Sequence, residues 1–435
     1  MSALASASRG ASAGARRVTS RRMSSRRANL RAEATTSAFE TSEALQSAKI
    51  GEGAFGRGLL ATGEGKTLVS VPIDALVVAP AAVGGGAGGA KRARETYERG
   101  WKEIHGVDVP NAMVEFVVSA PFAKDVRLTA MLAWAYSNVE AWRAYGDDVV
   151  PSAFDSMYLA SEEELDALQD TELRVMATRS RNGYEAMWNA AMEANPEVKS
   201  LLAEVDDERL KWCRSWVHTR AISGVFEGAE LAFLAPVIDL ANHRVESTAT
   251  YGVSADGKNF ELSWNENAPE GASPVANTEV FISYGDRMNN AILMLHYGFI
   301  DDNNRNERLP MEFIAPGARK VLGARVIEAC DRLKADGDEE AAIAGANLLA
   351  LAARGPPPGV DVPPPPPTDP EVVNAIRQVV EQTLSDKPTT ADEDEALVAS
   401  SEFQSLSPRT QLAVRHRLAQ KNMARAYLRF LNVLQ

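Results

Sequence analysis

The order of strand-like and helix-like segments most constrains the fold of this chain. Between residues 50 and 80, the segments "GRGLLAT" and "TLVSVPI" alternate apolar and polar positions around the turn residues Gly63, Glu64 and Gly65, which predicts a β-hairpin. The small-residue stretch 84–89 follows as a break. Strand-like runs return only between residues 231 and 300, in "AFLAPVIDL" and "EVFISYG". The chain should therefore form a β layer that is interrupted by a long insertion.

The insertion and the C-terminal part have helical patterns. Ser161 precedes Glu164 by three residues, a capping box, and opens a helical region that is expected to run to about residue 223. Inside the second β region, "NNAILMLHYGFI" predicts a short helix closed by Gly298. Helical character resumes after residue 305 and is interrupted only by a polyproline-type spacer at 355–370. These elements together indicate an α+β fold.

The last segment predicts one amphipathic helix with basic residues opposite its apolar face. On that face His416 is expected to be a packed core histidine. The acidic run "ADEDEA" at 391–396 is expected to be a solvated helix start, or a surface that docks a basic target. The apolar face consists of Leu412, His416, Ala419, Met423, Tyr427, Phe430 and Leu434.

Three glycine motifs resemble nucleotide-binding loops, and each lacks what that chemistry needs. The motif at 51–56 has the kinase spacing, but no V-A-I-K, H-R-D or D-F-G sequence accompanies it. "GEGKT" ends like a P-loop, but Leu60 stands where the first glycine is required. The dinucleotide-type spacing at 84–89 has no clear acidic residue at the end of a second strand, and its composition is that of a linker.

The charge is unevenly distributed. The first 32 residues contain eight Arg and seven Ser but no acid, which predicts an organelle transit peptide at residues 1–36. This leader carries +8 of a total of −13, so residues 33–435 carry −21. Such a field opposes binding to nucleic acid and to anionic membranes, and it favours partners that present basic residues. No run of 18 apolar residues predicts a membrane span.

The two cysteines, Cys213 and Cys330, form no C-x-x-C pair. Neither a structural zinc site nor a disulfide framework is predicted, and no metal is expected.

Two stretches carry the residues best suited to chemistry. In "FLAPVIDLANHRVESTATY", Asp239, Asn242 and His243 follow an apolar strand, and the amide of Asn242 can both donate to and accept from a zwitterionic ligand. In "EVFISYGDRMNNAILMLHYGF", Tyr284 and Tyr297 each precede a glycine at the two ends of a helical segment, so their phenols could converge on one pocket. A single Tyr-Gly pair is typical of a turn at the end of a strand, and a single Asn-His pair is typical of a turn whose polar groups are hydrogen-bonded. The occurrence of these motifs together, in this order along the chain, favours a functional site.

These motifs resemble the SET-domain protein methyltransferases, and within them the Rubisco large-subunit methyltransferase-like class. The similarity extends over nearly all of residues 45–435 and includes "GRGLLAT", "SEEELDALQDTEL", "HTRAI", "DLANH", the two Tyr-Gly motifs and "RTQLAVRHRLAQKNM". It implies a β-rich SET domain with an inserted helical subdomain, followed by an all-α substrate-binding domain. The implied boundaries are 37–90 and 221–300 for the SET domain, 91–220 for the insertion and 301–435 for the helical domain.

The resemblance also implies the site. The cofactor would be S-adenosyl-L-methionine, and the glycines of the hairpin would let the backbone approach it closely. The catalytic residues would be Tyr284 and Tyr297. Cofactor contacts would come from Gly56, Gly58, Leu59, Arg220, Asp239, Asn242, His243 and Tyr284. The lysine channel would be lined by Ile222, Tyr251, Tyr297 and Phe299.

The implied function is S-adenosylmethionine-dependent N-methylation of lysine in a chloroplast protein, such as the Rubisco large subunit or an aldolase. The protein is expected to be a monomer in the stroma that binds a protein presenting a lysine, with no nucleic-acid or membrane partner. Ile222 and Gly224 stand where plant relatives are expected to carry an aromatic and a basic residue, which leaves the substrate open. The alternatives are a non-catalytic binding module and a protein-histidine methyltransferase, in which the second tyrosine should be replaced.

Overall fold

The structure is a computed structural model of the 435-residue chain, and it describes only part of the sequence. The predicted transit peptide, residues 83–86 of the glycine stretch and residues 355–368 of the polyproline spacer lie outside the described residues. The described residues are 39, 44–53, 55–63, 65–82, 87–226, 228–266, 275–285, 287–302, 304, 306–307, 318–354 and 369–434.

The chain divides into two compact units. The first comprises Met1–Ser152 and Ala191–Ser283, and the second comprises Ala153–Ala190 and Tyr284–Gln435. The first unit holds the described strands, whereas the regular elements described in the second are helices. The mixed helix and sheet content agrees with the predicted α+β class, and the domain boundaries stay a prediction.

The described strands of the first unit form three small sheets. Their orders are β1-β2-β10-β7, β3-β9-β8 and β4-β6-β5. The strands are β1 (Ala48–Gly53), β2 (Gly56–Ala61), β3 (Thr67–Pro72), β4 (Val77–Pro80), β5 (Ile222–Phe226), β6 (Ala229–Leu234), β7 (Asn242–His243), β8 (Ala249–Val253), β9 (Asn259–Trp264) and β10 (Glu279–Ile282).

The hairpin predicted from "GRGLLAT" and "TLVSVPI" is wrong in its partner. These segments are β2 and β3, but β2 pairs with β1 and β10, whereas β3 pairs with β9 in another sheet. The hairpin is instead β1–β2, and its turn includes Gly56 at φ +90°, a conformation that glycine adopts without strain. The kinase-like spacing of glycines at 51–56 thus belongs to a two-stranded ribbon and its turn.

The helices of the first unit pack around a cluster of aromatic side chains. Trp101 and Trp142 stack with their ring centroids 6.4 Å apart, and Trp216 lies 5.9 Å from Trp142. All three are fully buried, so they act as packing anchors. The helices are α1 (Ala87–Glu95), α2 (Trp101–His105), α3 (Asn111–Ser119), α4 (Lys124–Asn138), α5 (Glu140–Asp148), α8 (Pro196–Leu201) and α9 (Asp207–Arg220).

The second unit contains two apolar cores. One lies among the three helices that follow residue 317 and the C-terminal helix, and the other joins residues 157–177 to Met294, Leu295 and Leu412. The helices are α6 (Glu162–Asp166), α7 (Thr171–Ala194, up to residue 190), α10 (Asn290–Tyr297), α11 (Ala318–Ala335), α12 (Glu339–Arg354), α13 (Asp369–Ser385), α14 (Ala391–Val398) and α15 (Pro408–Leu434).

Two local predictions are confirmed by the helix ends. Ser161 and Glu164 form the reciprocal hydrogen bonds of a capping box at the start of α6. Helix α10 ends at Gly298, which has φ +80°. The long helical region, however, ends at Arg220, because Ile222 and Ser223 already belong to strand β5.

The acidic run at 391–396 is not simply a solvated helix start. Its Asp394 is almost fully buried and accepts hydrogen bonds from Arg417 and Lys421 of α15, at 2.7 and 2.5 Å. The basic residues of α15 are therefore not all on an exposed face, since these two point into the protein. Although burial opposes it, the hydrogen bonds from Arg417, Lys421 and Thr389 lower the pKa of Asp394.

Candidate active site

The predicted site residues fall into two groups, one in each compact unit. The second unit holds the three aromatic residues Tyr284, Tyr297 and Phe299. The first unit holds Gly56, Gly58, Leu59, Arg220, Ile222, Asp239, Asn242, His243 and Tyr251.

The β1–β2 hairpin has one face made largely of glycine. Gly51 lies opposite Gly58, and Gly53 lies opposite Gly56, so all four share the face that also carries Leu60. A methyl group on Gly53 would lie 2.2 Å from the carboxyl carbon of Glu279, and one on Gly58 would lie 2.7 Å from Nδ2 of Asn242. The glycines therefore make room for polar side chains of the protein itself.

The neighbouring residue Leu59 faces the other way. Its side chain is fully buried in the core, so only its backbone can take part in a site. Within the described residues, β10 pairs with β2 only at Leu59 and Leu60, and the preceding residues of β2 have no strand partner on that side. This edge of β2 offers backbone groups that a ligand could use.

Asn242 and His243 form the short strand β7, which runs parallel to β10 opposite Phe281 and Ile282. Nδ2 of Asn242 donates to Oε1 of Glu279 over 2.9 Å. His243 is buried, whereas Asn242 is only half-buried. The register therefore places the Asn242 side chain beside the glycine face of the hairpin.

Asp239 is engaged inside the first unit. Its carboxylate accepts hydrogen bonds from the phenol of Tyr145 at 2.5 Å and from Nε1 of Trp216 at 3.0 Å. Burial raises the pKa of Asp239, an effect that Arg220 and the two hydrogen bonds oppose. The side chain thus stabilises the turn that precedes β7, and sequence reasoning gave no signal for Tyr145 or Trp216 as its partners.

The turn held by this network is strained. Val237 has φ +72°, a value that β-branched residues rarely adopt, and it is completely buried. Its backbone N–H donates to the phenol oxygen of Tyr145 over 2.7 Å. Tyr145 therefore holds both the strained residue and the carboxylate of Asp239.

Arg220 ends α9 next to the same turn. Its Nη1 donates to the backbone carbonyl of Asp239, whereas its Nε is buried and has no partner among the described residues. Ile222 begins β5 opposite Phe233, and Tyr251 lies in the β3-β9-β8 sheet with its ring 5.7 Å from Phe260. Tyr251 is thus in a different sheet from Asn242 and the hairpin.

In the second unit, three aromatic rings come together. The ring centroids of Tyr284 and Tyr297 lie 4.8 Å apart, and Phe299 lies 6.4 and 6.3 Å from them. The two tyrosine rings therefore lie close together, and their convergence on one pocket stays a prediction. Next to Tyr297, His296 contacts Tyr158, whose phenol oxygen lies 2.9 Å from Nε2 of the histidine.

Helix α10 sets the position of Tyr297. At its start, the side chain of Asn289 accepts from Ile292 N–H, and Glu307 accepts from Asn290 N–H over 2.7 Å. At its end, a methyl group on Gly298 would lie 2.4 Å from the backbone of Asp155. Both ends of the helix are therefore anchored, and the sequence gave no signal for Glu307.

The described residues contain neither a metal site nor a membrane span. No group of three or more His, Cys, Asp or Glu side chains is placed to hold an ion. Within the same ranges, no helix combines the length and the apolar character that crossing a bilayer requires.

Comparison with solved structures identifies the fold. The structure is similar to that of the SET domain of LSMT bound to lysine and AdoHcy, with a TM-score of 0.57 and 17% sequence identity. The superposition covers 94% of this chain and 91% of the other. Rubisco LSMT bound to sinefungin and monomethyllysine gives a TM-score of 0.55 at 16% identity. The fold is that of the Rubisco LSMT proteins. The resemblance to this SET-domain class that the motifs predict is confirmed.

The chain is similar to three curated plant proteins, of which two are named as chloroplastic and one for plastid transcription. No family model matches the chain. The protein Plastid Transcriptionally Active 14 of Arabidopsis thaliana is 27% identical over 72% of the chain, and the fructose-bisphosphate aldolase-lysine N-methyltransferase of the same plant is 25% identical over 66%. The Rubisco large subunit N-methyltransferase of Nicotiana tabacum is 25% identical over 65%. The chain spans 65%, 64% and 63% of the length of these relatives.

Proposed function

We propose that this protein is an S-adenosylmethionine-dependent protein-lysine N-methyltransferase of the Rubisco LSMT type, which acts on a chloroplast protein. The observation that carries the proposal is the pair Tyr284 and Tyr297, whose rings lie 4.8 Å apart beside Phe299. Two phenols and an apolar ring provide the walls that a lysine side chain needs. Relatives named as lysine methyltransferases of aldolase and of Rubisco support the same reaction.

The first unit fits an adenosyl amino acid. The edge of β2 that precedes Leu59 offers backbone groups, and the buried Nε of Arg220 has no partner among the described residues. A guanidinium suits the carboxylate of the ligand, and the amide of Asn242 suits its amino group. The residues of this unit proposed to hold it are Gly56, Gly58 and Leu59 through the backbone, with Arg220, Asn242 and His243. Asp239 contributes indirectly by fixing the turn, and the cofactor contact of Tyr284 stays a prediction from the sequence.

The tyrosines would act by positioning and desolvation. A lysine ammonium with a pKa of about 10.4 must lose its proton before its nitrogen can attack a methyl group. An apolar aromatic channel lowers that pKa because it disfavours the charged form. The phenols of Tyr284 and Tyr297 then orient the neutral amine, while Phe299 is proposed to exclude water. The channel-lining roles of Ile222 and Tyr251 stay predictions from the sequence. When bound, S-adenosylmethionine supplies the electrophilic methyl group.

One relative favours a second candidate, a non-catalytic binding module. That relative, 27% identical, is named for plastid transcriptional activity and not for methyl transfer. In this case the glycine face would bind the cofactor without turnover. The histidine methyltransferase alternative is disfavoured, because it predicts replacement of the second tyrosine and Tyr297 is present.

The proposal has four further parts. They are the transit peptide at residues 1–36, the location in the stroma, the monomeric state, and the division into a split SET domain, an inserted helical subdomain at 91–220 and a helical substrate-binding domain at 301–435. The strongly acidic charge of −21 beyond the leader supports a protein partner that presents basic residues.

Incubation of the protein with radiolabelled S-adenosylmethionine and a chloroplast stromal extract tests the proposal, with the labelled residue mapped by mass spectrometry. We expect label on lysine that is lost or sharply reduced in Tyr284→Phe. Tyr136→Phe is the matched control, since Tyr136 hydrogen-bonds only the exposed Asp147 and belongs to no proposed site. Cofactor binding without any label would favour the binding module, and label on histidine would favour the third alternative.

A further inference from the structure

Glu279 occupies the centre of the glycine face on the hairpin. It begins β10 opposite Leu60 of β2, and the same face carries Gly53 and Gly58. Its carboxyl group lies directly above Gly53, where any side chain would clash with it. The sequence patterns alone did not indicate a role for Glu279.

The contact between Glu279 and Asn242 has a fixed polarity. An ionised carboxylate can only accept hydrogen bonds, so the group that faces it at 2.9 Å must be the amide nitrogen of Asn242. The carbonyl oxygen Oδ1 of Asn242 must then point away from Glu279. This orientation follows from the chemistry of the pair and does not depend on an arbitrary choice between amide oxygen and nitrogen.

The surrounding glycines preserve this geometry. A Cβ at Gly58 would lie 2.7 Å from Nδ2 of Asn242 and 3.2 Å from Oε1 of Glu279, so it would separate the two groups. The glycine face therefore has a second role besides backbone approach. It leaves space for a carboxylate–amide pair that is held between three strands.

We propose that Glu279 is a positioning residue that fixes the side-chain amide of Asn242, so that Oδ1 is presented as an acceptor for the ammonium group of the ligand. The inference rests on the proposed function, because it needs an amino-acid-type ligand at this face. An acceptor of fixed orientation favours a cationic amine over a neutral group, and the negative charge of Glu279 adds to that preference. With a neutral residue at 279, the amide of Asn242 can adopt either orientation.

Calorimetric titration of the full chain with S-adenosylhomocysteine, and with its analogue in which hydrogen replaces the α-amino group, tests the inference. In Glu279→Gln we expect about tenfold weaker binding of S-adenosylhomocysteine and unchanged binding of the deamino analogue. Glu52→Gln is the matched control, since Glu52 lies on the same hairpin but on its other face. It should bind both ligands as the wild type does.

A reversal of polarity provides the second readout. Asn242→Asp alone places two carboxylates together and should weaken S-adenosylhomocysteine binding by more than about tenfold. Addition of Glu279→Gln should restore binding to within about threefold of the wild type, because glutamine can donate to the new aspartate. Thermal unfolding of each variant shows whether it is folded.

The outcomes separate the inference from the proposed function. The inference is overturned if Glu279→Gln binds S-adenosylhomocysteine as tightly as the wild type does, or if it loses equal affinity for S-adenosylhomocysteine and the deamino analogue. It is also overturned if the double variant binds S-adenosylhomocysteine no more tightly than Asn242→Asp does. If the wild-type chain binds neither ligand, the proposed function is overturned and the inference with it.

Discussion

The phenol of Tyr145 lies 2.5 Å from the carboxylate of Asp239 and also accepts from the backbone N–H of Val237, so one side chain holds both ends of a strained turn. Loss of this hydroxyl removes a hydrogen bond from the buried Val237 N–H and from Oδ1 of Asp239, whose other oxygen still accepts from Trp216. The turn leads directly into β7, so its stability also determines where Asn242 lies.

We expect Tyr145→Phe to lower the free energy of unfolding by about 3 kcal/mol, measured by urea denaturation. The matched variant Tyr136→Phe also loses a 2.5 Å hydrogen bond to an aspartate, Asp147, but that pair is exposed, and the expected cost is below about 1 kcal/mol. Equal effects of the two variants would show that burial of the network does not matter.

The buried ion cluster of the second unit should be strongly sensitive to loss of its acid. Asp394→Asn leaves the buried cations Arg417 and Lys421 uncompensated, so unfolding should become easier by about 3–5 kcal/mol. Asp392→Asn in the same acidic run removes an 81% exposed partner of Arg425 and should cost less than about 1 kcal/mol. Chemical denaturation of both variants measures this, and a small effect at Asp394 would contradict the assignment.

His416 should make the protein less stable in acid. Burial, opposed by Asp170 and assisted by Lys387, lowers the pKa of His416 to about 4, and no described residue forms a hydrogen bond with its Nδ1. In the unfolded chain, the pKa of a histidine side chain is about 6.5. Between pH 6.5 and 4 the unfolded chain therefore binds more protons than the folded chain. The free energy of unfolding should fall by about 3 kcal/mol as the pH is lowered through this range.

His416→Leu should remove this contribution. The difference in unfolding free energy between wild type and variant, measured from pH 7 to pH 4, should therefore move in favour of the variant as the pH is lowered. Parallel curves over that range would mean that His416 titrates alike in the folded and unfolded chains.

Gly298→Ala should destabilise the end of α10 that carries Tyr297. A Cβ there has to adopt φ +80° and would lie 2.4 Å from the backbone of Asp155, so we expect a loss of about 3 kcal/mol in thermal or chemical unfolding. Gly323→Ala is the control within the same unit, because a Cβ there meets nothing within 4 Å and sits in a helix. It should stabilise by about 0.5–1 kcal/mol, and a similar loss in both would contradict the close approach.

Local patterns were sufficient for the elements whose hydrogen bonds stay within a few residues. The capping box at Ser161, the short helix that ends at Gly298 and the mixed helix and strand content are all read correctly from the sequence. The sequence also placed Tyr284 and Tyr297 on the two sides of a helical segment, but Tyr284 precedes the helix, so the 4.8 Å separation of their rings depends on the fold.

The sequence pattern did not predict which distant strands pair with each other. The sequence shows that β2 and β3 are strands, but alternation defines only which side chains share a face and not which strand lies alongside. Besides β1, strand β2 pairs with β10, more than 200 residues away, and that pairing brings Glu279 to the glycine face.

The sequence by itself determined the elements, the class of fold and the residues with suitable chemistry, since each depends on local periodicity or on side-chain identity. Only the tertiary structure decided that Asn242 faces Glu279, that Asp239 is engaged by Tyr145 and Trp216, and that Asp394 is a buried anion. The physical reason is that burial and hydrogen-bond partners are properties of the packed chain. They are set by long-range pairing that a local pattern does not encode.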